Sequence, residues 1–257
     1  MKWLRFAHHG RIAFGVLNQG VVSVHEGNMY ASPQPTGEQL ALADLQLLPP
    51  CEPGQFFALW NNFRSAATKN NWAEPTEPLY FLKGANSFSH HLAPVPKPRH
   101  YEGRIIFEAE LAVVIGRAGR DIPLAQAADH VFGYTCVNDV TALEMLHADA
   151  SFAQWTRCKS MDGFTPFGPL IETEVDLSLC QVVARVNGRE RQNYPVSDMF
   201  FSPLELVSRL SRDVTLMPGD IISCGTSLGA MPWQVGATVE VAIEAIGVLS
   251  NTLQAQG

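Results

Sequence analysis

Apolar and polar positions change over in short runs along most of the chain, closer to the period of a strand than of a helix. Residues 11–17 and 21–25 are rich in β-forming side chains, and Asn18-Gln19-Gly20 between them supplies a turn. From Met29 the sequence becomes polar and proline-bearing, then apolar over 40–48. Residues 1–48 therefore read as a small β-rich N-terminal domain. Residues 50–54, with two prolines and a glycine, form the junction to a larger domain over 49–257. In that larger part 55–60, 78–83, 135–140, 221–224 and 239–249 read as strands, and 105–116 as one unbroken strand. Residues 123–131 read as a helix stopped by Gly133. Asn187-Gly188 between apolar runs predicts a type I′ hairpin, because both central residues need φ > 0. Ser202-Pro203-Leu204-Glu205 is a capping box with proline at the first helical position, and Leu204, Val207 and Leu210 supply that helix with an apolar face. Residues 91–103 are proline-rich, with few apolar positions, and read as a long loop of the kind that forms lids. Strands outnumber helices and do not alternate with them, so the class is β-rich α+β rather than a Rossmann sheet or a TIM barrel.

Composition narrows this picture. The 257 residues suffice for one large domain, or for a main domain with a small appendage. With 46% hydrophobic and 17% charged residues the chain is globular, not disordered. A formal charge of −7 and the lack of a Lys/Arg cluster argue against nucleic acid as the partner. No apolar run approaches the roughly 18–20 residues of a membrane span. The N-terminus lacks the apolar core of a signal peptide. Five widely spaced cysteines without a CxxC pair read as reduced thiols of a cytoplasmic protein.

The chemistry concentrates in a few segments. In Phe107-Glu108-Ala109-Glu110-Leu111 a strand would put Glu108 and Glu110 on one face, and Phe107, Ala109 and Leu111 on the other. Two carboxylates about 7 Å apart repel each other, and a divalent cation would remove that cost. A solvated face of an edge strand would carry the same pattern. Asp139, at the end of the 135–140 strand, offers a third acid. Three carboxylates without a neighbouring His or Cys form an all-oxygen set suited to Mg²⁺ or Mn²⁺, or to Ca²⁺, rather than Zn²⁺. Lys159 offers a cation for a substrate carboxylate or an enolate oxygen, or is simply a surface lysine. Cys224-Gly225-Thr226 is a glycine-bearing turn after a strand, and such turns expose N–H groups to anions.

Taken in order, Tyr80-Phe81-Leu82-Lys83, Phe107 to Leu111, Asn138-Asp139-Val140-Thr141, Lys159-Ser160-Met161-Asp162, Pro218-Gly219-Asp220 and Gly225-Thr226 resemble the fumarylacetoacetate hydrolase family over about residues 53–249. The resemblance implies a mixed β-sandwich or β-roll core, a small N-terminal β domain and a homodimer. By it, Glu108, Glu110 and Asp139 are metal ligands and Lys159 is the active-site lysine. Thr226 and Gly225 belong to the substrate-carboxylate pocket. Lys83 and Arg64 join the substrate contacts, with bracing of a loop as the alternative for Lys83.

Two departures bear on the chemistry. Hydrolytic members carry Asn-Tyr-x-x-His-Ala-x-Glu, where the His–Glu pair activates water; here the stretch is Asn62-Phe63-Arg64-Ser65-Ala66-Ala67-Thr68-Lys69. A general base is worth about 10²–10⁴ in rate. Leu143 follows Thr141-Ala142, where many members have arginine. Both departures, with Asp162-Gly163-Phe164-Thr165-Pro166, look more like the decarboxylase/isomerase branch of homoprotocatechuate breakdown. The expected function is a metal-dependent enzyme of 2-oxo acid catabolism, acting on a 2-hydroxy-2-enoic or 2,4-dioxo acid in aromatic-compound degradation. It would decarboxylate or isomerise a chelated enolate. One alternative is a C–C bond hydrolase of acylpyruvate or fumarylacetoacetate type, its base supplied by His90, His91 or His100. Another is a non-catalytic metal- or ligand-binding protein.

Overall fold

Tight turns at His9-Gly10 and Gln19-Gly20 fold the first residues into an antiparallel meander of Lys2–His8, Arg11–Asn18, Val21–Asn28 and Ala31–Ala41 in the computed structural model, which describes residues 1–255. Gln19 and Gly20 both adopt positive φ, the conformation a two-residue hairpin turn demands. The eleven-residue strand Ala31–Ala41 runs through the stretch whose prolines obscure it in the sequence. It forms one edge of the sheet, where Pro33 and Pro35 are tolerated without breaking a central ladder.

The meander is continuous with the main sheet, because Lys2 pairs opposite Glu172 and Trp3 opposite Ile171. Beyond Thr165–Glu172 the order runs Val131–Asn138, Ala109–Ile115, Ile221–Ser223, Phe56–Trp60 and Leu79–Leu82. A five-stranded sheet holds Arg189–Pro195, Gln181–Val186, Thr238–Ile243, Gly247–Ala255 and Pro94–Lys97. A small third sheet joins Thr141–Ala142, Ile105–Phe107 and Met231–Pro232. Every residue of Ala109–Ile115 is buried, which makes this strand the spine of the core.

The hairpin at Asn187-Gly188 forms as expected, with φ of 48° and 76°. Helix α3, Pro203–Asp213, has the predicted capping box: Ser202 Oγ accepts from Glu205 N, and the Glu205 carboxylate accepts from Ser202 N. Its buried face is Leu206, Val207 and Leu210, with Leu204 only half-buried.

Four expectations need correction. Residues 105–116 are not one strand: the chain breaks at Glu108, leaving Ile105–Phe107 in the small sheet and Ala109–Ile115 in the large one. Residues 239–249 are parts of two strands of a hairpin, Thr238–Ile243 and Gly247–Ala255. The 123–131 helix is a 3₁₀ segment, Leu124–His130, tied to α3 where Ile122 N donates to Ser211 Oγ and Ser208 Oγ donates to Ile122 O. The proline-rich 91–103 segment is not a free lid. Its Pro94–Lys97 lies parallel to Gly247–Ala255 with Val95 fully buried, and prolines at alternate positions of an edge strand cost no ladder bond on the open side.

Asn62 joins three segments around the turn before α1, Arg64–Asn70. Its Nδ2 donates to Phe201 O at 3.1 Å and Cys224 O at 2.9 Å, and its Oδ1 accepts from Phe201 N at 3.0 Å. Replacing this 1%-exposed residue leaves three buried backbone groups unpaired. Asn62→Ala is expected to lower stability by about 2–4 kcal/mol in urea titration. An unchanged midpoint would show that the clamp contributes nothing.

Candidate active site

The break at Glu108 decides where the acids go. Ala109 pairs opposite Asn138, and Asp139 N donates to Glu108 O at 2.9 Å, so the end of one strand is fastened to the kink of its neighbour. Carboxylate oxygens of Glu108, Glu110 and Asp139 all lie within 4.8 Å of one another. Glu110 and Asp139 are buried and Glu108 is half-buried.

Two buried lysines face these acids. Lys159, the last residue of α2 (Trp155–Lys159), donates to Glu108 Oε2 at 2.8 Å and to Asp139 Oδ2 at 2.6 Å. Lys83 donates to Asp139 Oδ1 at 2.5 Å and to Phe164 O at 3.1 Å. Three carboxylates against two ammonium groups leave an excess of one negative charge if all are ionised. Burial, and then the charge of Asp139, push the Glu110 carboxyl well above the usual range. Burial would also raise Asp139, but Lys159 and Lys83 outweigh it and hold this carboxyl below the usual range. Burial works against the charge of Lys159, yet Asp139 and Glu108 raise its pKa and keep it an ammonium. At Lys83 burial wins, and its pKa is lowered despite Asp139.

Further residues orient this cluster. Ser223 Oγ and Gly225 N donate to Glu110 Oε2 at 2.5 and 3.0 Å. Thr141 Oγ1 donates to Glu108 Oε1 at 2.7 Å, and Glu108 N donates to Asn138 Oδ1 at 3.1 Å. Gln192 Nε2 donates to Thr226 Oγ1, which donates in turn to Ala109 O, both at 2.9 Å. Sequence reasoning did not single out Asn138, Thr141, Gln192 or Ser223 for these roles. Asn138 and Thr141 flank Asp139 and Ser223 directly precedes the Cys224-Gly225-Thr226 turn, so adjacency could have suggested them; Gln192 lies on a distant strand with no motif to mark it.

The other Glu110 oxygen, Oε1, is buried without a hydrogen-bond partner. Among the described residues the only other buried, unpartnered side-chain polar atoms are Asn61 Oδ1, Asn138 Nδ2 and Ser227 Oγ. Asn61 and Ser227 line the same cleft as Glu108, and Asn138 holds the Glu108 backbone. An orphaned carboxylate oxygen in an all-oxygen set with excess negative charge fits a hard divalent cation.

Glu108 and Thr226 open onto a cleft of about 410 Å³, within the range of small-molecule sites. Trp60, Ala66, Leu143 and Leu228 are among its walls. Ala66 therefore borders the cleft, while Lys69 is exposed and not among the lining residues. Gly225 spends its N–H on Glu110. Arg64 is not brought to the acids: its Nη1 donates to Met199 O at 2.9 Å, and its guanidinium lies 4.7 Å from the Phe200 ring centroid. The histidines do not line the cleft. His91 Nδ1 accepts from Ser250 N, His90 Nδ1 lies 2.9 Å from His91 O, and His100 sits in a separate hollow beside Met145 and Arg157.

A family model described as fumarylacetoacetate (FAA) hydrolase C-terminal matches residues 55–254, and one described as Rv2993c-like, N-terminal, matches residues 1–50. The fold is similar to 5-carboxymethyl-2-hydroxymuconate delta-isomerase from Mycobacterium smegmatis, with 33% identity, 100% of both chains covered and a TM-score of 0.92. It is similar to 2-hydroxyhepta-2,4-diene-1,7-dioate isomerase from Mycobacterium marinum, with 32% identity, 100% of this chain and 99% of that one covered and a TM-score of 0.91. It is also similar to a fumarylacetoacetate hydrolase from Exiguobacterium antarcticum, with 30% identity, 100% of both chains covered and a TM-score of 0.88. The β-rich architecture is thus that of the fumarylacetoacetate hydrolase fold with a small N-terminal domain.

Lys83→Met removes one of the two cations of Asp139 from a site closed to water. Chemical denaturation of the metal-free variant is expected to show a loss of about 3–5 kcal/mol. A loss no larger than a surface ion pair gives, about 1 kcal/mol or less, would contradict this account of Lys83.

Proposed function

The chain belongs to the fumarylacetoacetate hydrolase family, and on that premise we propose that it is a metal-dependent enzyme of 2-oxo acid catabolism that decarboxylates or isomerises its substrate through an enolate. The observation that carries this reading is the meeting of three carboxylates and a charged lysine beside a cleft without a histidine in its walls, among the described residues. The substrate class is a 2-hydroxy-2-enoic or 2,4-dioxo acid, of the kind met in aromatic-compound degradation. The two isomerase neighbours support this choice.

Glu108, Glu110 and Asp139 would hold a cation such as Mg²⁺ or Mn²⁺, or Ca²⁺, which would supply a Lewis acid for negative charge on the oxygens of a 2-oxo acid. Lys159 adds a fixed positive charge at the same place, suited to a substrate carboxylate or an enolate oxygen. Thr226 borders the cleft, and a substrate carboxylate would compete with Ala109 O for its hydroxyl proton. Gly225 and Ser223 fix one oxygen of Glu110 and leave the other free.

Hydrolysis needs a base for water. Ala66 stands in the cleft wall where hydrolytic members carry histidine, and the loop histidines are held elsewhere. Return of a proton to another carbon, or departure of a β-carboxylate as CO₂, needs no activated water. The cleft chemistry therefore favours these outcomes over hydrolysis of acylpyruvates. Five unpaired cysteines support a cytoplasmic setting. The family resemblance supports a homodimer.

Because burial holds Glu110 above the usual carboxylate range, its proton competes with the cation. Affinity for Mg²⁺ or Mn²⁺ is expected to rise with pH, with proton release on binding. Calorimetry in buffers of different ionisation enthalpy measures this, and pH-independent binding without proton release would contradict it. Assays on oxaloacetate, a dienol and an acylpyruvate test the reaction. Decarboxylation or tautomerisation should exceed hydrolysis, should vanish in EDTA and should fall by about 10²–10³ in Lys159→Met. Efficient acylpyruvate hydrolysis by the unaltered protein would overturn the reading.

A further inference from the structure

A row of aromatic rings leads away from the lysine. Lys159 Nζ lies 5.3 Å from the Phe81 ring centroid, and Phe81 stacks on Trp155 at 5.0 Å. Trp155 lies 6.2 Å from Trp60, and Trp60 lies 5.0 Å from Trp72. Trp60 and Trp72 both line the cleft that Glu108 borders. Trp72 keeps 40% of its surface exposed and Leu228, also in the wall, keeps 43%. Such apolar surface gains free energy in proportion to its area when it is covered. Its position at a concave site marks it for a ligand rather than for the core.

The charge distribution around the cleft is equally selective. Glu108 is the only ionisable residue among those lining the cleft, within the described part of the chain. The cations on neighbouring stretches are not in the cleft wall: Arg64 bonds Met199 O and lies against the Phe200 ring, Arg104 pairs with Glu144, and Lys69 is exposed and outside the lining. Leu143 and Ala66 contribute apolar wall. A carboxylate on the outer arm of a substrate would lie against indole and leucine with no cation to pair it, which is costly.

Resting on the 2-oxo acid reading above, we propose that the arm beyond the reacting carbons of the substrate is an uncharged aryl or alkyl group seated against Trp60 and Trp72. The enzyme would then select 2-oxo acids whose far end is uncharged over those that carry a carboxylate there. Offset or edge-on contact with an indole suits a planar arm best.

Calorimetric titration of the Mn²⁺-loaded protein with three probes tests this. Oxalate represents the head alone, 4-phenyl-2-oxobutanoate the head with an aryl arm, and 2-oxoadipate the head with a carboxylate arm of similar reach. The aryl compound is expected to bind at least about tenfold more tightly than 2-oxoadipate. Trp72→Ala, at a partly exposed position that does not threaten folding, should bring that ratio close to one. Leu143→Arg, which supplies a cation in the wall, should lower the same ratio by tightening 2-oxoadipate. If oxalate binds but 2-oxoadipate binds as tightly as the aryl compound, or if neither variant moves the ratio, the proposal for the arm is wrong. If oxalate does not bind, the reading of the head itself fails.

Discussion

Asp139 is a buried carboxylate shared by two buried lysines, and the arrangement of the site follows from the need to satisfy it. Lys83 arrives from the end of an edge strand, Lys159 from the end of a short helix, and Glu108 from a kink between two sheets. None of these charges is tolerable alone in the interior. The lysines neutralise two of the three acids, and the remaining charge is felt most at Glu110, the most deeply buried of them. A cluster that leaves one buried acid without a counter-charge and one of its oxygens without a partner fits a cation.

The rest of the fold keeps this cluster in place. The wholly buried strand Ala109–Ile115 is clamped on one side by Val131–Asn138 and on the other by Ile221–Ser223. The first neighbour leads to Asp139 and the second supplies Ser223, which holds Glu110, so the same pairings that form the core aim the acids. Gln192 reaches in from the five-stranded sheet, accepting from Ala109 N and donating to Thr226, and ties that sheet to the rim of the site. Support of this kind fixes the rotamers of the acids before any ligand arrives.

The site was more legible in the sequence than the fold around it. The three acids and Lys159 stand in short motifs whose residue types announce their chemistry, and the structure brings them together. The break at Glu108 was hidden because Ile105, Ile106 and Phe107 are buried like the strand that follows, so alternation reads straight through it. The strand Pro94–Lys97 was masked by the prolines that an edge strand tolerates. The histidines of that segment looked free to enter the cleft only because the segment looked like a loop. Gln192 carries no local signal, since its partner Ala109 is 83 residues away in the chain. The capping box of α3 and the Asn187-Gly188 turn were read correctly because their physics is local.

The three outcomes open to such a site share one species, the enolate at C3 of a 2-oxo acid: isomerisation reaches it by loss of a C3 proton, decarboxylation by loss of CO₂ and C–C cleavage by loss of the acyl group. Its most direct measurement is exchange of the C3 protons of 2-oxobutanoate in D₂O, followed by proton NMR with the protein and Mg²⁺ together. Exchange is expected to be much faster than with either component alone. Exchange no faster than that given by free Mg²⁺ would contradict it.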